Sequence, residues 1–405
     1  MQPYKSLLLC LIILLIHHSL YRAKKKKQAP RYNTFIVNRG KPYETIYKPY
    51  IYPPPGMHTD HALKEALRVN RATFLKLLKM LTDNGFNGIG QVTPEECLCI
   101  FLSKMAQGFT YTTLRRDFQR NVKLIYRAIS AITKIFYKTL YLGYVLNNPI
   151  SWHDARDIYL CRTRDPELVR CFEDVVGAVD GTHIHAYFNH TDLRKIDRHG
   201  DYSLNVVLVI DMVGQFRYVG FASGSCHDST IFKLLCPKWR LPEGGYLLGD
   251  HGFAYSSSVL TPYKKVRYHL SEWSYYSDKR PKNRKEMFNK KHSSMRMLVE
   301  MTIGHLKSSW KVLDKARMLY PDNLVPILCV LLGLHNFIKQ EEKNFNVDDD
   351  LDEFVARRMA QIDAGVFQEE PEPILLEEVI NDRRERISSH LWRVYQRMLG
   401  RRRRD

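Results

Sequence analysis

The chain reads as an α/β protein, a mixed sheet flanked by helices and preceded by an all-helical region. From about Val175 the apolar pattern shortens into β-rich runs, DVVGAVDGTHIHAYF, SLNVVLVIDMVGQ, FRYVGFASG and GGYLLGD, separated by glycine-containing turns. Two long helical patterns follow, HSSMRMLVEMTIGHLKSSWKVL and NLVPILCVLLGLHNFIKQ, so residues 160–340 form one block with strands first and helices after. Before residue 150 the signals are those of helices.

With 405 residues and 44% hydrophobic content the chain is long enough for a large domain and a smaller one, which excludes a disordered class. Lys and Arg number 62 against 43 Asp and Glu, a net charge of +19. Such a surplus points to a polyanion, with nucleic acid first among partners; the alternative is a basic surface with no partner. The eight cysteines (Cys10, Cys97, Cys99, Cys161, Cys171, Cys226, Cys236, Cys329) form no CxxC pair and no Cys/His spacing of the zinc-finger kind. Reduced core thiols are expected. Cys97 and Cys99, two apart in a helix, point to different faces and make a poor chelate.

Residues 1–57 comprise an apolar segment and a basic, proline-rich linker. After Lys5 the run LLLCLIILLI (Leu7 to Ile16) has the length of a signal-peptide core and is too short to span a bilayer. It lacks a small-x-small cleavage site, and Lys24 to Lys27 reads as a nuclear-import or DNA-contacting cluster. A nuclear protein with no membrane partner is the expectation, and secretion the minor alternative.

Residues 58–150 form the helical region. In VTPEECLCIFLSKMAQG, Thr93 is placed as N-cap, Pro94 at the first helical position and Glu96 at the third, a capping box ahead of an apolar run. In TYTTLRRDFQRNVKLIYRAISAITKIFYKTL two short helical patterns meet near Gln119 to Asn121, a layout like a helix-turn-helix. Arg115, Arg116, Lys123, Tyr126 and Arg127 would then face DNA, with phosphates supplying most of the affinity. An ordinary helical bundle is the alternative. Residues 341–405 are an acidic segment (DDDLDEF, EEPEPILLEE) followed by a basic helical tail, NDRRERISSHLWRVYQRMLGRRRRD, that looks like an appendage.

Asp180 ends the apolar stretch VVGAV and Asp250 ends YLLG, each followed closely by glycine (Gly181, Gly252), so each belongs near the end of a buried strand. A carboxylate there is costly unless it is paired or bound to a metal. Glu300 lies in a helix whose Met297, Leu298, Met301 and Trp310 mark a core-facing side, with Gly304 and Lys307 one and two turns on along the same face. An Arg296–Glu300 ion pair at i,i+4 accounts for Glu300 equally simply. Asp228, in GSCHDSTIF, falls in the first turn of a helix, where an acid is favoured with or without a chemical role.

In order along residues 60–340, AVDGTHI, GSCHDSTIF, LLGDHGF with LTPY, FNKKHSSMRMLVEMTIGHLKSSW and LHNF resemble the PIF/Harbinger group of DDE transposases, including the Harbinger transposase-derived nucleases. The resemblance implies an RNase H-like fold with the first Asp on the central strand. It makes Asp180, Asp250 and Glu300 the catalytic triad, with Asp228 a further acid at a divalent-metal site. It implies two-metal hydrolysis and strand transfer at transposon ends. Oxygen-only ligands suit Mg2+ or Mn2+. Ser223 departs from the family, which usually has proline before GS. A Myb-like accessory DNA-binding protein and a homodimer are further implied partners.

His183 and His185 alternate with Asp180 along the strand and so point away from it, which makes them structural or DNA-proximal. His227 and His292 could orient ligands from behind the acids. Lys264, Lys265 and Arg267, with the basic set Ser277 to Lys285, could hold the DNA backbone or be solvated loops. The competing function is a domesticated, non-cutting DNA-binding protein.

Overall fold

The computed structural model describes residues 43–56, 60–151, 171–172, 174–187, 201–235, 239–267, 280–314, 321–342 and 381–401. The apolar run Leu7 to Ile16, Lys24 to Lys27 and the acidic stretches 348–354 and 369–378 lie outside them. Two compact units interleave along the chain. The first takes Met1–Tyr141, His185–Leu193 and Ser309–Leu331, the second Leu142–Ile184, Arg194–Ser308 and Leu332–Asp405.

The first unit is helical: α1 (Asp60–Leu67), α2 (Arg71–Asp83), α3 (Pro94–Gln107), α4 (Tyr111–Phe118) and α5 (Val122–Phe136). Helix α3 is buried from Glu96 to Ala106, so apolar residues surround it on every side. Cys97 and Cys99 are therefore both buried although they point to different faces, and burial lifts the Cys97 thiol to about 12. Thr93 Oγ1 accepts from the Glu96 N–H at 3.3 Å, and Gly108 closes the helix in the left-handed region at φ 63°. The Glu96 carboxylate does not serve the cap as the sequence suggested. It is 4% exposed and takes a two-pronged bond from Arg120 at 2.7 and 2.8 Å, because a buried carboxylate needs a charged partner.

Helices α4 and α5 meet where the sequence places their junction. Gln119 turns the chain at φ 49°, and Asn121 Oδ1 caps α5 by accepting from the Lys123 N–H at 2.8 Å. Ile125, Ala128, Ile129, Ile132 and Phe136 form the buried stripe of α5.

The second unit holds a five-stranded sheet of β1 (Val175–His185), β2 (Ser203–Asp211), β3 (Phe216–Ser223), β4 (Tyr246–Leu248) and β5 (Val259–Leu260), in the order β3-β2-β1-β4-β5. β2 pairs antiparallel with β3, whereas β4 runs parallel to both β1 and β5. With the first strand in the middle of a mixed sheet, the end of β4 lies beside the middle of β1, where Ala178 pairs with Leu248. Gly177 is required there: a Cβ would stand 2.1 Å from the Ile210 carbonyl oxygen of β2. The helices are α6 (Asp228–Leu235), α7 (Arg284–Ser309), α8 (Pro321–Glu341), which belongs to this unit from Leu332 on and to the first unit before that, and α9 (Asn381–Arg401).

Two side-chain amides and one ion pair lock this unit. In LHNF, Asn336 accepts from the Phe216 N–H at 2.9 Å and donates to the Phe216 carbonyl at 2.8 Å, taking the place of a sixth strand along edge strand β3. The adjacent His335 meets the Gly214 carbonyl at 3.1 Å. Asn289 does the same for Tyr263, at 2.7 and 2.9 Å. Arg217 binds Asp211 at 2.7 Å with both side chains buried, while Asp211 also accepts from the N–H groups of Val213 and Gln215. Over Asn323–Glu341, α8 is long and apolar enough to cross a membrane, but most of it is buried inside the protein, as a core helix would be.

The C-terminal helix is not the loose appendage its composition suggested. α9 packs within the second unit through Ile387, Leu391 and Val394, and Arg284, expected in a basic loop, pairs with Glu385.

Candidate functional site

β1 is buried at every residue from Val175 to Val179 and half-buried from Asp180 to His183. The apolar run thus carries Asp180 to the point where the strand leaves the core, with its side chain 18% exposed. Asp180 Oδ1 accepts from the Gly181 N–H at 3.0 Å. On the neighbouring parallel strand, Ala178 pairs with Leu248, and Asp250 follows two residues later. Asp250 Oδ1 accepts from the Gly252 N–H at 2.9 Å, a tight turn that fixes its carboxylate.

Asp228 begins α6, and Asn205 of β2 holds its Oδ1 at 2.6 Å while also donating to the Cys226 carbonyl at 2.6 Å. Gly181 is what lets this acid approach: a Cβ there would stand 2.0 Å from Asp228 Oδ2. Glu300 comes from the middle of α7. Its partner is Arg296, one turn earlier, whose other guanidinium nitrogen lies 3.3 Å from Asp180. The i,i+4 pair expected as the alternative to an active-site role therefore exists, and it extends across to β1.

Electrostatics tie the four acids together. Burial lifts the Asp180 carboxyl to about 7, against the pull of Arg296 and with added repulsion from Asp250, Glu300 and Asp228. A strand interior and a helix interior thus bring two carboxylates to a single guanidinium, and the charges of Asp250 and Asp228 act on the first of them.

Three surrounding groups fix the frame. Lys307, two turns beyond Glu300, donates to the His183 carbonyl at 3.0 Å and ties α7 to β1, while His183 Nδ1 meets Ser203 Oγ at 3.0 Å. His292 is buried and bonds the Leu260 carbonyl at 2.8 Å; burial drives it down to about 3, so it stays neutral. That bond goes to the backbone of β5, so His292 positions a strand. His227 is exposed at the start of α6, where its carbonyl accepts from the Thr230 and Ile231 N–H groups.

The remaining candidates are surface groups. Arg115, Arg116, Lys123, Tyr126 and Arg127 are exposed on α4 and α5, and Lys264 and Lys265 are exposed in the turn after β5. Lys265 adopts a left-handed backbone at φ 55°, strained for a residue with a side chain. Sequence reasoning missed two contributors. Asn205 was visible as the lone amide in SLNVVLVI, but Arg296 offered no sign of its second partner, because β1 and α7 are joined only in the fold.

The four carboxylates are hard oxygen donors, the chemistry that Mg2+ and Mn2+ require. Among the described residues no three His, Cys, Asp or Glu side chains are grouped so as to hold one ion as they stand. The guanidinium of Arg296 supplies the positive charge at this place instead. The donor set fits a divalent cation, provided that the carboxylates close around it and Arg296 gives ground.

Residues 179–336 match the family model described as DDE superfamily endonuclease. The matched stretch runs from the residue before Asp180 to Asn336, and so contains all four acids and both ends of the sheet. No curated protein and no solved structure matches the chain.

Proposed function

We propose that the chain is a metal-dependent DNA endonuclease of the transposase type, cutting phosphodiester bonds at transposon ends and transferring the strands. The observation that carries this reading is the pairing of Asp180 and Glu300, from a strand and a helix, through the shared Arg296, with the charges of Asp250 and Asp228 also acting on Asp180. The match of that same stretch to a DDE superfamily endonuclease model supports a transposase-like nuclease. The strand order β3-β2-β1-β4-β5 with parallel β4 and β5 is consistent with an RNase H-like sheet, and the order of the five motifs with the Harbinger group.

In this reading Asp180, Asp250 and Glu300 are the catalytic acids and, with Asp228, would hold Mg2+ or Mn2+. When bound, such ions supply an activated water or 3′-hydroxyl and neutralise charge on the leaving oxygen. The chain's own work is orientation. The Gly181 and Gly252 N–H groups aim the two aspartates, Asn205 fixes Asp228, and Lys307 holds the strand that carries Asp180. Arg115, Arg116, Lys123, Tyr126 and Arg127 would contact one stretch of DNA as a helix-turn-helix, and Lys264 and Lys265 another. A protein that cuts chromosomal DNA would act in the nucleus, and the resemblance to the Harbinger group supports a Myb-like accessory protein and a second copy of the chain as its partners.

The test is cleavage of end-labelled duplex DNA with Mg2+ or Mn2+. Activity is expected from the wild type and not from Asp180→Asn, Asp250→Asn or Glu300→Gln, while DNA binding survives in all three. Metal-dependent cutting that persists in Asp180→Asn overturns the assignment. The guanidinium of Arg296, which already holds Asp180 and Glu300, favours a second reading, a non-cutting DNA-binding protein. That reading requires wild-type protein that binds the duplex and leaves it intact with either metal.

A further inference from the structure

Helix α9 divides its basic residues between two faces. Arg383 lies over the Tyr246 ring, 4.6 Å from its centroid, and donates to the Ser257 and Gly244 carbonyls at 2.9 and 3.2 Å. Arg384 lies between the Tyr255 and Tyr263 rings at 4.7 and 4.4 Å and donates to the Pro262 carbonyl. Glu385 accepts from Tyr263 Oη at 2.9 Å. The first turn of α9 thus clasps residues 244–263, the segment that contains Asp250, and Ile387, Leu391 and Val394 bury the stripe that follows.

The other face is different. Arg386, His390, Arg393 and Arg397 are all exposed, and their spacing of four, three and four residues stacks them in one line along the helix. At 1.5 Å per residue that line is about 16 Å long, which matches the phosphates of several nucleotides along a duplex.

We propose that this stripe of α9 is a binding surface for the phosphate backbone of duplex DNA, anchored to the unit that carries the four acids. It rests on the endonuclease reading above for its choice of polyanion. Backbone contact carries no base preference, so the stripe raises affinity for all sequences alike.

The experiment uses full-length Asp180→Asn protein in EDTA, so that binding is measured without cleavage, and a fluorescein-labelled duplex of mixed sequence across a salt series. In the Arg386→Gln/Arg393→Gln/Arg397→Gln background, affinity should fall about tenfold or more and the slope of log K against log salt by about 2–3. A control, Lys64→Gln/Lys76→Gln/Lys79→Gln, removes equal charge from the helical unit and should change both far less. The substitutions are on the surface, so Tm should hold in both. Equal losses in the two triple variants reduce the effect to net charge and overturn the stripe, as does an unchanged salt slope. Loss of binding to phosphatidylserine vesicles with DNA binding intact would assign the stripe to a membrane and also overturns it. Failure of the parent protein to bind the duplex at all removes the endonuclease reading as well, which separates the two failures.

Discussion

Arg296 reaches from α7 to the middle of β1, with one guanidinium nitrogen 3.3 Å from Asp180 and the other on Glu300. A guanidinium placed between two carboxylates that come from different elements is a resident cation. It offsets the repulsion that would otherwise drive Asp180 and Glu300 apart.

Replacing it tests that role. In metal-free Arg296→Gln protein the acids lose their counter-charge, so Tm should fall. A divalent ion should then restore more stability than it adds to the wild type, since it binds the folded state without competing with the arginine. Thermal melts with and without Mn2+ measure both effects. An Mn2+-induced rise no larger in the variant than in the wild type would show that Arg296 does not occupy a cation's place.

Gly181→Ala should separate stability from activity. The new Cβ would meet the Asp228 carboxylate at 2.0 Å, so the acid must swing away and break its bond with Asn205. Only a side-chain end has to move, and Tm should drop by no more than a few degrees, about 1 kcal/mol or less. DNA cleavage should fall by tenfold or more. Retention of full activity would mean that Asp228 is free to move without consequence.

Arg217→Met leaves Asp211 charged and buried at the end of the β2–β3 hairpin, with its partner gone. Breaking one side of such a pair costs about 3–5 kcal/mol. Urea denaturation should show that loss, and the double variant with Asp211→Asn should recover part of it. A loss below about 1 kcal/mol would place the pair among those that contribute little.

His335, like His292, contributes to the acid sensitivity. Burial, with Lys339 and His305 adding to it, drives its imidazole down to about 3 from 6.5, and the Gly214 carbonyl opposes this only in part. The folded protein keeps His335 neutral while the unfolded chain takes up a proton, so its stability is present above pH 6.5 and is lost as pH falls toward 3. The expected cost is about 1.4 kcal/mol for each pH unit below 6.5. His335→Gln should flatten the fall of stability between pH 6 and pH 4 by about one proton's worth, as read from denaturation midpoints over that range. An unchanged slope would mean that His335 protonates readily in the folded state.

Much of the site was legible before the fold. Asp180 and Asp250 announced themselves as carboxylates at the ends of apolar runs; the structure puts Asp250 just past the end of β4, but Asp180 in the middle of β1, where its fully buried half stops. Asp228 was correctly placed at a helix start. Glu300 was ambiguous, since a local ion pair explained it, and the local pair turns out to be half of a longer-range contact. Glu96 and the C-terminal tail were misread for a related reason. Each looked locally satisfied or locally polar, yet each is engaged by groups far away in sequence, Arg120 in one case and Tyr263 with Arg284 in the other.

By itself the sequence determined periodicity, caps and the positions where charge interrupts a core, because these depend on residues a few places apart. The tertiary structure alone decided who meets whom: Arg296 with Asp180, Asn205 with Asp228, Lys307 with the backbone of His183, and α9 with the loop after Asp250. Those contacts span from about 20 to more than 100 residues, and no local pattern encodes them, since they exist only once the order of strands has set which ends lie side by side.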